Sequence, residues 1–134
     1  MLFTIVIHQE GDSAYGVTVP DMPGCFSAGD TLEEALENVR EAIDLHMEEV
    51  VAGNEPVPSP SPMHQVAGDP EHAGATFFLV DVDMSKYLGK AEKINITLPR
   101  YLLERIDRAV KEGRFKSRSG MLAEGALDKL SRLP

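Results

Sequence analysis

The N-terminal part of the chain begins with the hydrophobic pattern of a β-hairpin. Residues 2–8 are mostly β-branched and apolar, and residues 14–19 alternate between apolar and polar side chains after a turn-rich interval. Two strands are predicted, because successive side chains of a strand point to opposite faces. The prolines and the glycine within residues 20–24 interrupt the ladder, and residues 25–28 predict a short third strand.

A long amphipathic helix is predicted after these strands. Thr31 and Glu34 form a capping box, and apolar residues then recur at helical spacing as far as Gly53, opposite a face that is mostly glutamate. Such a helix must bury its apolar stripe, so we expect it to cover a sheet formed by the neighbouring strands. The apolar positions are Leu32, Ala35, Leu36, Val39, Ala42, Ile43, Met47 and Val50.

The composition changes between residues 53 and 74, where Pro, Ser, Gly and Asp predominate. The closely spaced prolines predict an extended, polyproline-like connection over the surface. Residues 75–84 then predict a fourth strand, with Val80 on its apolar face and Asp81 and Asp83 on the other face. This order of elements predicts a mixed α+β fold.

A second periodic unit follows, and we place the domain boundary at about residue 90. Residues 93–98 alternate strictly between an apolar and a polar face. Two amphipathic helices are predicted beyond them, over residues 101–111 and 117–131, with Gly113 ending the first helix. The apolar face of the strand consists of Ile94, Ile96 and Leu98, and the second helix is expected to bury Met121, Leu122, Ala126, Leu127 and Leu130.

The charge of the chain also divides at this boundary. Residues 1–90 hold 16 acidic and three basic side chains, a net charge of −13, whereas residues 91–134 hold ten basic and six acidic side chains, a net charge of +4. This asymmetry indicates two modules with different partners, the basic module being a candidate for nucleic acid and the acidic one for a basic partner. The alternative is an acidic solubilising surface beside a mildly basic domain.

The basic module needs a partner chain. One strand and two helices in so short a segment lie near the lower limit for independent folding, and a lone strand leaves its backbone groups unpaired. We therefore expect a twofold homodimer in which two strands pair antiparallel, forming a ribbon that fits the DNA major groove. The expected base-reading residues are Lys93, Asn95 and Thr97, and the expected phosphate-contacting residues at the start of the second helix are Ser117, Arg118 and Ser119.

The stretch Ile94-Asn95-Ile96-Thr97-Leu98-Pro99, together with Gly113 and Ser117-Arg118-Ser119, resembles the ribbon-helix-helix repressors. The resemblance covers residues 93–133 and implies a dimeric DNA-binding domain. The alternative is an edge strand joined to a helical hairpin that serves only in dimerisation. The excess of Lys and Arg in this segment favours the DNA-binding interpretation.

Two stretches of the N-terminal unit carry a second family pattern. They are residues 21–35, which begin Asp21-Met22-Pro23-Gly24-Cys25, and residues 82–90. Both resemble the HicB antitoxin family. The resemblance implies a truncated ribonuclease-H-like N-terminal domain that binds and blocks HicA, a small basic toxin that cleaves mRNA, and a C-terminal domain that represses the operon. The toxin-binding residues are not identified by the sequence.

Catalytic and metal-binding residues are not expected. Asp81 and Asp83 share a strand face but have no third carboxylate with which to hold a divalent metal ion. The four histidines have no ligand-type spacing, and Cys25, the single cysteine, is expected to be buried rather than reactive. We therefore expect no enzyme activity and no cofactor. Because no apolar run reaches the length of a membrane helix, and the N-terminus lacks the features of a leader, we expect a cytoplasmic protein without membrane association.

Two functions are compatible with the sequence. The first is an antitoxin that neutralises a HicA-like toxin and represses its own operon. The second is a stand-alone HicB-like transcriptional regulator whose N-terminal domain senses or oligomerises without a toxin. Both functions predict operator binding by at least a homodimer, and a second contact between N-terminal domains would produce a tetramer.

Overall fold

The alternating N-terminal segments form an antiparallel sheet in the computed structural model, which describes all 134 residues. Ile7 of the hairpin pairs with Val17, and the fourth strand lies on the other side of the first, where Ile5 pairs with Phe78. The four predicted strands of the first unit, the long helix after the third of them and the mixed α+β fold are confirmed. The strands are β1 (Leu2–His8), β2 (Tyr15–Thr18), β3 (Phe26–Gly29) and β4 (Thr76–Asp81), in the spatial order β3-β2-β1-β4.

The predicted capping residue begins α1 (Leu32–Ala52), because the hydroxyl of Thr31 accepts a hydrogen bond from the backbone N–H of Glu34 at 3.1 Å. The helix lies close to the sheet: a Cβ on Gly29 of β3 would come within 2.4 Å of the backbone nitrogen of Ala35. One core results from this packing. Its buried members are Phe3, Ile5, Ile7, Val17, Val19, Met22, Cys25, Ala35, Val39, Ile43, Met47, Val80, Val82 and Met84.

The connection between α1 and β4 is more ordered than the sequence predicts. It contains a short helix, α2 (Met63–Ala67), and a 3₁₀ turn that ends at His72. Val66 is buried, and the His72 ring meets the Phe77 ring edge-on at a centroid distance of 6.4 Å. Phe77 lies on the sheet face opposite α1, so the connection covers part of that second face. The prediction of a polyproline-like chain throughout residues 53–74 is wrong because Val66 gains burial against the folded unit.

The chain divides into two units, Met1–Leu88 and Gly89–Pro134, next to the position where its charge changes sign. The second unit contains two helices, α3 (Arg100–Lys111) and α4 (Arg118–Ser131). Gly113 has a φ of +80° just beyond α3 and donates its N–H to the carbonyl oxygen of Val110, which ends the helix as the sequence predicts.

The second unit does not enclose a core of its own. Ile106 of α3 is its one fully buried hydrophobic side chain. The predicted burial of the apolar side of α4 is wrong for the single chain, because two short helices cannot surround so many apolar side chains. Met121, Leu122 and Leu127 are half-buried, whereas Ala126 and Leu130 are exposed.

Candidate DNA-contacting and partner-binding surfaces

The segment that precedes α3 presents the predicted base-reading side chains to solvent. Residues 91–99 have no regular secondary structure in the single chain, and Lys93, Asn95 and Thr97 are all exposed. Their polar groups therefore lie where another molecule can reach them. The single chain does not by itself form the paired ribbon that the alternation predicts.

The apolar side chains of the same segment lie partly against the helices. Ile96 and Leu98 line a recess of about 200 Å³, together with side chains of α3 and α4. Ile94 is 76% exposed and Ile96 is 55% exposed. Large apolar side chains at this level of exposure, adjacent to one another, are typical of a surface that another chain covers. The helix residues that line the recess are Leu103, Ile106, Arg118 and Leu122.

The start of α4 brings together the three residues predicted to contact phosphate. Ser117 is the N-cap, and its hydroxyl accepts a hydrogen bond from the backbone N–H of Gly120 at 3.0 Å. Arg118 and Ser119 follow as the first helical residues, and both are exposed. The positive end of a helix attracts anions through its first backbone N–H groups, so this end of α4 has the polarity that a phosphate contact requires.

Arg118 is held by a residue that the sequence interpretation missed. Its Nε and Nη2 groups donate hydrogen bonds to the two carboxylate oxygens of Asp107 on α3, at 2.6 and 2.8 Å. These hydrogen bonds hold the pKa of Asp107 below its usual range and raise the pKa of Arg118. No local spacing rule signals the pair, because its two residues belong to different helices and meet only when α3 and α4 pack.

In the first unit, negative charge is concentrated on α1. The helix carries seven acidic side chains and one basic one, Arg40, and six of the seven acids are exposed. Leu45 lies among them with 64% of its surface exposed. An exposed apolar side chain within a field of one sign suits a partner of the opposite charge. We call this the acidic face of α1; its acids are Glu33, Glu34, Glu37, Glu41, Asp44, Glu48 and Glu49.

The last residues of the first unit are fastened to α1. The Tyr87 hydroxyl donates a hydrogen bond to the carboxylate of Asp44, and the ammonium of Lys86 lies 3.5 Å from the same carboxylate. Burial and the neighbouring Asp44 carboxylate raise the pKa of Tyr87 to about 12. The sequence interpretation missed this contact, because the spacing of Asp44 does not distinguish it from the other acidic residues of α1.

The motif at residues 21–25 has a structural role. Met22 is fully buried in the core, and Gly24 adopts a φ of +85°, a backbone conformation that glycine tolerates best. The carboxylate of Asp21 accepts hydrogen bonds from both the backbone N–H and the hydroxyl of Ser61, at 2.9 and 2.6 Å. Asp21 therefore holds the proline-rich connection against the folded unit.

The carboxylates considered for catalysis have structural partners. Asp81 accepts a hydrogen bond from the N-terminal amine of Met1 at 3.2 Å, and Asp83 caps a 3₁₀ turn through Ser85. No group of three or more His, Cys, Asp or Glu side chains is close enough to hold a metal ion. Cys25 is buried, as predicted, and burial raises the pKa of its thiol. No helix combines the length and the apolar character that crossing a membrane requires.

Comparison with protein-family models assigns the chain. A model described as the HicB-like antitoxin of bacterial toxin-antitoxin systems matches residues 3–126. The chain belongs to the HicB-like antitoxin family. Its sequence is 43% identical to that of the Burkholderia pseudomallei antitoxin HicB. The crystal structure of that antitoxin matches this chain with a TM-score of 0.77, over 97% of this chain and 98% of that one. This chain is also 45% identical, over 97% of its length and 98% of the relative, to an uncharacterised 14.9 kDa protein from the rep-hol intergenic region of Haemophilus phage HP1.

A third match concerns only part of this HicB-like chain. A chain in a HicA3 and HicB3 toxin-antitoxin complex is 30% identical to it, with a TM-score of 0.53. The match covers 62% of this chain but 99% of that one. Unit Met1–Leu88 makes up about two thirds of the present chain, so the chain in that complex is comparable in length to this unit alone.

Proposed function

We propose that this HicB-like antitoxin neutralises a HicA-like ribonuclease with its first unit and represses its own operon with its second. The observation that carries the proposal is the coincidence of the structural division with the change of charge. The first unit is an acidic, fully packed domain, and the second is a basic domain with an uncovered apolar side. The net charge of each unit is therefore opposite in sign to that of its proposed partner.

The proposed toxin-binding surface is the acidic face of α1. Its charge would attract a basic protein and accelerate encounter, and the exposed Leu45 would supply an apolar contact beside the acids. The match to a chain of the HicA3 and HicB3 complex supports a role for the first unit, because the shared part has about this unit's length. We also infer a truncated ribonuclease-H-like fold for this unit, supported by three sequential antiparallel strands extended by β4 after α1.

A charge-reversal experiment tests the toxin-binding proposal. The full-length protein and its Glu37→Lys/Glu41→Lys variant would be tagged and used to capture partners from the native cell. We expect the wild-type protein to recover one small basic protein and the variant to lose most of it. The matched control is Glu10→Lys/Asp12→Lys, which makes the same charge change on the exposed hairpin turn.

The outcomes of this capture separate three interpretations. Equal loss from both variants would mean that only net charge matters and would remove α1 as the docking surface. Retention by both variants would place the partner elsewhere on the protein. Recovery of the protein alone, without any basic partner, would favour a stand-alone HicB-like transcriptional regulator.

The proposed DNA-binding form is a ribbon-helix-helix homodimer. Residues 93–98 of two chains would pair antiparallel, cover the exposed Ile94 and Ile96, and place Lys93, Asn95 and Thr97 together on a ribbon for the major groove. This pairing would satisfy backbone groups that the single chain leaves outside regular structure. We expect the purified protein to be at least a dimer by analytical ultracentrifugation and to protect a site in its own promoter from nuclease digestion. A monomer that protects no site would contradict the proposal.

A further inference from the structure

Arg118, which we propose contacts DNA, forms an ion pair within the second unit. Asp107 and Arg118 meet through two parallel hydrogen bonds, at 2.6 and 2.8 Å, and both side chains are about half exposed. The guanidinium therefore directs two of its N–H donors at the carboxylate. A phosphate can receive those donors only after Asp107 releases them.

The Asp107 carboxylate pairs with a side chain at the start of α4. Arg118 is the first residue of α4, where its positive charge lies beside the positive end of the helix. Asp107 supplies the anion that such a position favours, and a DNA phosphate would offer the same charge sign and the same fork of oxygen acceptors. The two anions are therefore alternatives for one guanidinium.

We propose that Asp107 is a built-in competitor of phosphate for Arg118, and that it sets how tightly the second unit binds DNA. The proposal rests on the DNA-binding function proposed above. An exposed ion pair is weak, so a phosphate can displace the carboxylate. While the pair is closed, Asp107 also repels the DNA backbone. Asp107 thus limits affinity without being required to touch DNA.

The test is the Asp107→Asn variant, with Asp107→Ala as a second variant that removes the remaining amide acceptor. Asp128→Asn is the matched control. Asp128 pairs with Arg132 at 3.1 Å near the far end of α4, so its substitution removes the same single negative charge from the same helix pair. Thermal melting would confirm that all variants are folded.

Two probes would be titrated into the full-length proteins. Inorganic phosphate would be followed by NMR at the Nε–H of Arg118 and the backbone N–H groups of Ser119 and Gly120. A short duplex of arbitrary sequence would be followed by fluorescence anisotropy at several salt concentrations. We expect both Asp107 variants to bind each probe several-fold more tightly than wild type. The slope of log affinity against log salt should steepen by roughly one, the amount that one further neutralised phosphate contributes.

Each outcome separates this proposal from the function on which it rests. Equal tightening in Asp128→Asn would overturn the competitor role, because general charge would then explain the effect. Unchanged affinity in both Asp107 variants, with duplex binding by wild type, would overturn it and leave the DNA-binding function standing. Tighter phosphate binding by the Asp107 variants, with no duplex binding by any protein, would support competition for Arg118 but overturn the role of Asp107 in DNA affinity, together with the DNA-binding function proposed above.

Discussion

The two units of this chain bury their apolar side chains to different extents. In the first unit, α1 covers one face of a four-stranded sheet, and side chains such as Phe3 and Met22 are inaccessible to solvent. In the second unit, Ile106 alone among the hydrophobic residues is buried, while Ile94 and Leu130 expose more than half of their surface. The first unit encloses a core within the single chain, whereas the second leaves most of its large apolar side chains at least partly exposed.

This difference teaches where each unit obtains its stability. A sheet and a long helix have complementary apolar faces within one chain, so the first unit forms its core without another chain. Two helices and an extended segment have apolar sides that exceed what they can cover for one another. The stability of the second unit should therefore depend on protein concentration, and that of the first should not.

The largest expected effect is on assembly of the second unit. Ile96→Ala should weaken the dimer by about 2–5 kcal/mol for each chain, because it removes a side chain that the proposed interface buries. The dissociation constant, measured by analytical ultracentrifugation, should rise at least about 700-fold, because both chains of the dimer carry the change. Thr97→Ala, on the opposite side of the same segment, is the control and should leave the dimer intact. If Ile96→Ala dimerises normally, the exposed apolar side is not the interface.

The counterpart in the first unit is Met22→Ala, which should lower the free energy of unfolding by about 2–5 kcal/mol through loss of packing in the core. Urea denaturation would measure this loss, and the midpoint for this unit should not depend on protein concentration. Phe26→Ala is the control, because Phe26 is 68% exposed and its removal should change stability little. A midpoint for the first unit that depends on protein concentration would contradict the claim that only the second unit depends on association for its stability.

A smaller effect is expected for the proposed base contact. Asn95→Ala should weaken operator binding and relax base preference at one position by about 1–3 kcal/mol, as for a lost bidentate contact in the major groove. Binding to a panel of single-base operator variants would measure the preference. An unchanged base preference would argue against a ribbon in the major groove.

The first unit also contains a buried polar atom without a partner, the hydroxyl of Thr4. Thr4→Val should stabilise the unit by about 1 kcal/mol, because a methyl group of similar shape replaces a desolvated, unbonded hydroxyl. Denaturation by urea would measure the gain. Thr18→Val is the control, since Thr18 is only half-buried and its hydroxyl is less strongly desolvated. Loss of stability in Thr4→Val would indicate that the hydroxyl is hydrogen-bonded in solution.

The smallest expected effect concerns Tyr87. Its pKa is raised from an ordinary value of 10 to about 12, so its contribution to stability is fully present below pH 10 and is lost as the pH rises through 12. Tyr87→Phe should remove part of the loss of stability over this interval. Thermal melting across alkaline pH would measure it, with the exposed Tyr101→Phe as the control. Identical alkaline profiles for wild type and Tyr87→Phe would contradict a hydrogen bond to Asp44.

Local pattern accounts for most of the elements. The capping residue Thr31 and the helix stop at Gly113 lie where the sequence predicts them, because each depends on backbone groups a few residues away. The connection in residues 53–74 was only partly predictable. Its prolines indicate extended chain, whereas the burial of Val66 in the short helix α2 depends on the folded unit and has no signal in the local sequence.

The sequence by itself determined the four strands of the first unit, the three long helices, the opposite charges of the two units and the six residues proposed to contact DNA. It did not predict the short helix α2, and the strand that it predicts over residues 93–98 does not form in the single chain. Tertiary structure alone decided which polar groups from distant parts of the chain meet. Asp21 holds Ser61, Asp44 holds Tyr87 and Asp107 holds Arg118. Helix and strand patterns depend on spacings of a few residues, which a sequence displays directly. Pairs between distant residues depend on strand register and helix packing, which the folded chain alone establishes.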